Sequence, residues 1–241
     1  CRCNQESGRG GRTSDGRPGA GALRRGGRRT TMPRMAETTQ ELPDGYGEFA
    51  AFDSRTNPLN RRVSYILHFA SAIFFVPLFA AVTAAVRPGR TLDPVNLWAV
   101  SVPGLGIIGA LALTFFAVVL VINLHMLLHA AAIRYIGGAL PQITPRRITV
   151  SVSAPEWLLP KKAMIMVTVA PFFVISAVGA ILLSMAPAGL LAWIFVPVVA
   201  NGITTAGDVL TLSWIIVTPA DALFRYDGSA LIAYAPPHKQ G

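Results

Sequence analysis

His125-Met126-Leu127-Leu128-His129 places two imidazoles four residues apart inside an uninterrupted apolar stretch. On a helix, positions i and i+4 share one face, a spacing that lets two histidine nitrogens reach one metal ion. Ionisable residues inside an apolar span are costly to bury, so such a pair points first to function. A metal site needs at least one further ligand. Beyond residue 137 the apolar spans offer one acidic side chain, Asp208, in Asn201-Gly202-Ile203-Thr204-Thr205-Ala206-Gly207-Asp208. A lone buried carboxylate requires a proton, a cation or a metal to be tolerated. In helices that use zinc for hydrolysis, the residue after the first histidine is a general-base glutamate. Here that position is Met126.

Two other readings of the same residues stand beside the metal site. The histidines can be neutral imidazoles bonded to carbonyls or hydroxyls, with Asp208 completing a packed polar network. A bis-histidine haem site is excluded, since nitrogens four residues apart on one helix cannot occupy opposite faces of one macrocycle. Asn201, Thr205 and Asp208 recur at spacings of four and three and so share a helix face. Asn201 is a candidate for binding substrate backbone or for holding a ligand from outside, and Thr204 or Thr205 for orienting the carboxylate. For Asn201 and the threonines, helix–helix packing is the favoured alternative. His68 has no obvious partner and His238 falls near the end of the chain.

These groups need elements to hold them. Of 241 residues, 52% are hydrophobic and 14% charged, and the apolar ones fall in blocks of bilayer-spanning length. That composition excludes an ordinary soluble domain and predicts an all-α membrane protein of about four transmembrane helices. The expected spans are about 63–86, 106–135, 163–185 and 190–217. Pro103, Gly104 and Gly106 are expected to break the early part of residues 97–136 into a loop, an interfacial turn or a re-entrant piece. Pro171 is expected to kink or locally open the third span, and Pro197, Gly202 and Gly207 lie in the fourth.

The net charge of +9 does not indicate nucleic acid, because arginines crowd the first 34 residues and the remaining basic groups flank the apolar blocks. With one crossing at 106–135, Arg134, Arg146, Arg147, Lys161 and Lys162 fall on the cytoplasmic side, which places the protein in the cell membrane with both termini cytoplasmic. Spans two and four then run the same way. His125 and Asp208 each lie about ten residues before a cytoplasmic end, hence at similar depth, roughly 15 Å below the inner surface.

Residues 1–60 read as a disordered tail, Arg/Gly-rich and then polar. Residues 1–31 read as upstream read-through before a natural start at Met32 or Met35, a polybasic membrane-surface anchor being the rival. Residues 61–218 form the membrane domain and 219–241 a cytoplasmic C-terminal tail. Cys1 and Cys3, both in the N-terminal tail, exclude a disulfide framework and a cysteine-ligated core site. In the loop after span two, Ile148, Val150 and Val152 alternate with Thr149, Ser151 and Ser153, the period of a strand, closed by Pro155 and Pro160. This is a short extended segment on the membrane surface, or an exposed edge able to accept an extended peptide as an added strand.

Taken together, the His125–His129 pair in span two, the extended loop, Ala170-Pro171 in span three and Asn201 through Gly207-Asp208 in span four resemble the putative zincin peptidase family. These are small multi-pass membrane proteins similar to site-2 proteases. The resemblance covers about residues 60–218. It implies Zn2+ as the metal and His125, His129 and Asp208 as its ligands. The family's active pattern is H-E-x-x-H, and this chain reads H-M-x-x-H. The expected function is therefore a membrane zincin-like protein that is catalytically impaired or inactive. Its partners would be the lipid bilayer and transmembrane or juxtamembrane peptide segments. The alternatives are a working metallopeptidase, in which Glu156, Asp208 or bound hydroxide replaces the base, and a metal-free structural membrane protein.

Overall fold

The computed structural model describes residues 38–53, 57–88, 97–98, 104, 106–228 and 230–237. Helix α1 (Pro58–Ala85) begins where the Asn57 side chain accepts from the backbone N–H of Leu59, and Pro58, lacking a donor, occupies the first helical position. Helix α2 (Ile107–Tyr135) carries the histidine pair, and α3 (Lys161–Met185) continues through Pro171. A single 3-10 turn (Ala188–Leu190) leads into α4 (Leu191–Thr204), which breaks at Thr205 and resumes as α5 (Ala206–Val217). At that break the Thr204 and Thr205 hydroxyls donate to the Asn201 carbonyl at 2.9 and 2.8 Å. Such local side-chain bonding competes with the helical ladder and bends it.

Pro58–Ala85, Ile107–Tyr135, Lys161–Met185 and the composite Ala188–Val217 are long and apolar enough to cross a membrane. Their outward faces expose large apolar side chains, among them Phe69, Phe74, Ile108, Phe116 and Phe173. So large an exposed apolar surface calls for an apolar surrounding. Two cations tie the bundle ends by capping helix C-termini. Arg87 donates to the carbonyls of Leu183 and Ala186, and Lys161 to those of Ile216 and Thr218.

The all-α expectation is corrected by a five-stranded antiparallel sheet in the order β1-β5-β4-β3-β2. Its strands are β1 (Gly47–Phe52), β2 (Gln142–Pro145), β3 (Val150–Pro160), β4 (Leu223–Tyr226) and β5 (Leu231–Ala235). Three of them lie in stretches read from sequence as tails. β4 and β5 form a hairpin whose turn holds Gly228 at φ 86, a conformation glycine adopts without strain, while Asp227 Oδ1 accepts from the Ala230 N–H. Of the disorder expected for residues 1–60, residues 47–52 instead form β1 and residues 1–37 lie outside the described residues, as does most of the break expected around residues 97–106.

The alternating segment is a strand, but its boundary and position differ from expectation. Pro155 does not close it. β3 runs on to Pro160, and its register with β4 shifts between Ala154 and Leu159. A proline, which cannot donate to a ladder, is tolerated in such a bulge. Leu158 there exchanges backbone hydrogen bonds with Thr39, and the Thr38 hydroxyl bonds to the Gly137 carbonyl. With β4 on one side and β2 on the other, β3 is not an edge; β2 is. The β2–β3 hairpin is fastened to α2, since Asn123 donates from Nδ2 to the Ile148 carbonyl at 3.0 Å.

One face of the sheet packs on the helices. Phe52, Phe224, Leu231 and Ala233 bury against Met164 and Ile215, while Val152, Ala154 and Leu159 bury against Ala130, Ile133 and Val167. A separate cluster at the other end of the bundle joins Phe79, Leu183, Phe195 and Val198. Between these, α1 and α4 approach closely at Gly202. A Cβ there would stand 2.7 Å from Cγ of Phe75, an atom next to the backbone that cannot swing away. Gly202→Ala is therefore expected to destabilise the fold by about 1–3 kcal/mol through overpacking, measured by denaturant unfolding in detergent.

Candidate metal centre

Each ligand candidate comes from a different constraint. Two turns of α2 put His125 and His129 on one face, and the first turn of α5 brings Asp208 to them. His125 Nε2 lies 3.0 Å from Asp208 Oδ2, His129 Nε2 lies 3.4 Å from Oδ1, and the two Nε2 atoms are 3.2 Å apart. One ligand atom from each residue falls within 4.8 Å of the others. His125 is buried, whereas His129 and Asp208 are partly exposed toward a cavity.

The outer nitrogens determine what the inner ones can be. His129 Nδ1 lies 3.0 Å from the Val167 carbonyl, which can only accept, so Nδ1 carries the proton and, in the neutral ring, Nε2 presents a lone pair. His125 Nδ1 lies 2.8 Å from Asn201 Oδ1, with the same consequence. Two lone-pair nitrogens and a carboxylate therefore converge with no donor among them. Oδ2 of Asp208 is buried and accepts no hydrogen bond, although His125 is close by. Three acceptors so arranged repel unless a cation lies between them. With zinc–nitrogen and zinc–oxygen bonds of about 2.0–2.1 Å, tetrahedral ligand atoms stand about 3.3 Å apart. The Nε2–Nε2 distance of 3.2 Å, with one carboxylate oxygen 3.0 Å from His125 and the other 3.4 Å from His129, is close to that spacing, so the residues present fit a metal.

Fixing each imidazole by a hydrogen bond to its far nitrogen is the usual support for a metal-binding histidine. Asn201 takes this place for His125, and its Nδ2 is buried without a partner. Thr204 and Thr205 do not orient the carboxylate; both hydroxyls are spent on the Asn201 backbone. His68 bonds to the Ser64 carbonyl of its own helix, at 2.7 Å. His238 lies outside the described residues.

On the open side of the three ligands is a cavity of about 250 Å³. Its helical wall includes Met126, His129, Met164, Thr168, Asp208 and Thr211, and its other wall is the sheet, through Phe52, Val152, Tyr226 and Leu231. Met126 thus lines the same cavity as His129 and Asp208. Sequence reasoning read the strand that carries Val152 but missed β1, β4 and β5, which supply the rest of this wall. The signal for part of it was present in Tyr226-Asp227-Gly228, since Asp-Gly between apolar runs is a hairpin marker.

The family model described as "Putative zincin peptidase" matches residues 118–223, somewhat under half of the chain. The matched stretch contains both histidines, Asn201, Asp208 and the β2–β3 hairpin. No curated protein and no solved structure matches the chain.

The purified protein is expected to hold about one zinc ion per chain, lost in His125→Ala and in Asp208→Ala when metal content is measured. Asn201→Ala, which removes the acceptor at His125 Nδ1, should weaken zinc about 10- to 100-fold in chelator competition. Thr204→Ala, at a hydroxyl bonded only to its own helix, should change it little.

Proposed function

We propose that this chain is a multi-pass membrane protein, with both termini cytoplasmic, that holds zinc through His125, His129 and Asp208 and has little or no peptidase activity. The observation that carries this reading is the position of Met126. It lines the cavity beside His129 and Asp208, and Asp208, the one carboxylate among the described residues lining that cavity, belongs to the ligand set.

A zinc ion bound there would supply Lewis acidity toward a carbonyl or a water. Peptide hydrolysis also needs a group that takes a proton from water and returns it to the leaving amine. A thioether does neither, and the absence of a general base typically removes about 10²- to 10⁴-fold of rate. Tyr226 also lines the cavity, but a phenol hydroxyl is a far weaker proton acceptor than a carboxylate. Glu156 is exposed on β3 and is not part of the cavity wall, which disfavours it as a replacement.

What remains suits binding without cutting. The cavity has apolar side chains on both walls beside the polar His129, Thr168, Asp208 and Thr211, and its volume of one or two side chains suits a segment of a membrane protein. The outer edge of β2 leaves backbone groups open to an added extended strand. Transmembrane or juxtamembrane segments of other proteins are accordingly the partners this reading assigns, with the bilayer as surroundings.

Restoring the base tests it. Met126→Glu in the detergent-solubilised protein should cleave a fluorescently labelled unfolded model protein at least about 10²-fold faster than the parent. That activity should vanish with chelator and with His129→Ala. A parent already cleaving at the rate of Met126→Glu, in a chelator-sensitive way, would overturn the impaired reading and favour a working metallopeptidase.

A further inference from the structure

His129 has no side-chain partner at Nδ1. Its acceptor is a main-chain carbonyl, that of Val167, in the middle of α3. A mid-helix carbonyl normally has one lone pair engaged along the helix axis, accepting from the N–H four residues on. Four residues beyond Val167 is Pro171, which has no N–H. The proline ring also crowds the carbonyl of residue i−4 and tilts it off the helix axis. Val167 and Pro171 are both buried and, four apart, lie on one helix face.

We propose that Pro171 is a positioning residue of the metal centre. By withholding its N–H it leaves the Val167 carbonyl to accept from His129 Nδ1–H, fixing the tautomer and aim of that imidazole. The inference rests on the metal reading above only for its consequence, metal affinity; the tautomer of His129 stands apart from it. The two histidines are then held by two different devices, a side-chain amide for His125 and a proline-freed carbonyl for His129. The arrangement also gives Ala170-Pro171 a role the cavity alone does not, since Pro171 is not among its lining residues.

The test replaces the missing donor and then removes it again, in the full chain in detergent. Pro171→Ala restores an N–H that competes for the Val167 carbonyl. Incorporating the α-hydroxy analogue of alanine at position 171 replaces that N–H by an ester oxygen without restoring the ring. Pro171→Gly supplies the same N–H with a different volume, should the alanine variant fold poorly. Zinc affinity by chelator competition is expected to fall about 10- to 100-fold in Pro171→Ala and to return to within a few-fold of the parent with the ester. ¹⁵N NMR of His129 in metal-free protein should show protonated Nδ1 in the parent and the ester form, and a tautomer mixture in Pro171→Ala. Unchanged affinity and an unchanged tautomer in Pro171→Ala and Pro171→Gly would overturn the proposal. So would a loss that the ester fails to rescue, which marks the ring's packing as the cause. A parent that binds no zinc, yet shows the tautomer shift on substitution, would sink the metal reading while leaving the role of Pro171 standing.

Discussion

The structure is organised around a single electrostatic conflict. Both imidazoles commit their Nδ1 protons outward, to Asn201 and to the Val167 carbonyl, so their Nε2 lone pairs face one another and the Asp208 carboxylate at 3.0–3.4 Å. With both rings neutral, no described group offers a proton into that space. A hydrogen-bonded packing network would do the opposite, placing a donor between each pair of acceptors. This is the physical difference between the metal reading and the purely structural one, and it resides in the outer hydrogen bonds rather than in the ligands.

The surrounding architecture can be traced back to that point. α2 must hold its face toward α3 and α5 together, and the break at Thr205 lets Asn201 and Asp208 reach the same imidazole from successive helices. Close contact of α4 with α1 at Gly202 fixes the residue next to Asn201. The sheet closes the open side of the ligand set. β3 packs on α2 through Val152 and Ala154, β1, β4 and β5 place Phe52, Tyr226 and Leu231 on the cavity, and the Asn123 bond holds the β2–β3 hairpin against the helix carrying the histidines.

Much of this was legible because it rests on periodicity. The i, i+4 histidines, the boundaries of α2 and α3, and the meeting of His125 with Asp208 all follow from helix geometry applied to long apolar runs. The sheet was not legible to the same degree. Gly47–Phe52 and Leu223–Tyr226 are too short to show a period, and their pairing partners are distant in sequence, as with Gly47 opposite Ala235. The alternating run at residues 148–153 did show its period, yet a period cannot say whether a strand lies at an edge. Pro155 misled for a related reason: it ends a strand in isolation, but a bulge with an alternative partner at Thr39 accommodates it.

Met126 separates two properties that are joined in a hydrolytic zinc helix. The ligands act through lone pairs held at fixed spacing, and that spacing depends on α2, α5 and the outer acceptors. The base acts through proton transfer and depends on the one residue that α2 turns toward the cavity next to the ligands. Methionine at that position fills the wall with an unbranched, polarisable side chain and packs against the cluster of Ala130, Ile133 and Val152. It thus maintains the packing of the helix on the sheet while removing the charge. A buried glutamate there would have to be reconciled with the apolar wall around it. The apolar part of the cavity wall and the uncharged Met126 within it are consistent with each other, and with the proposed site that receives an apolar segment.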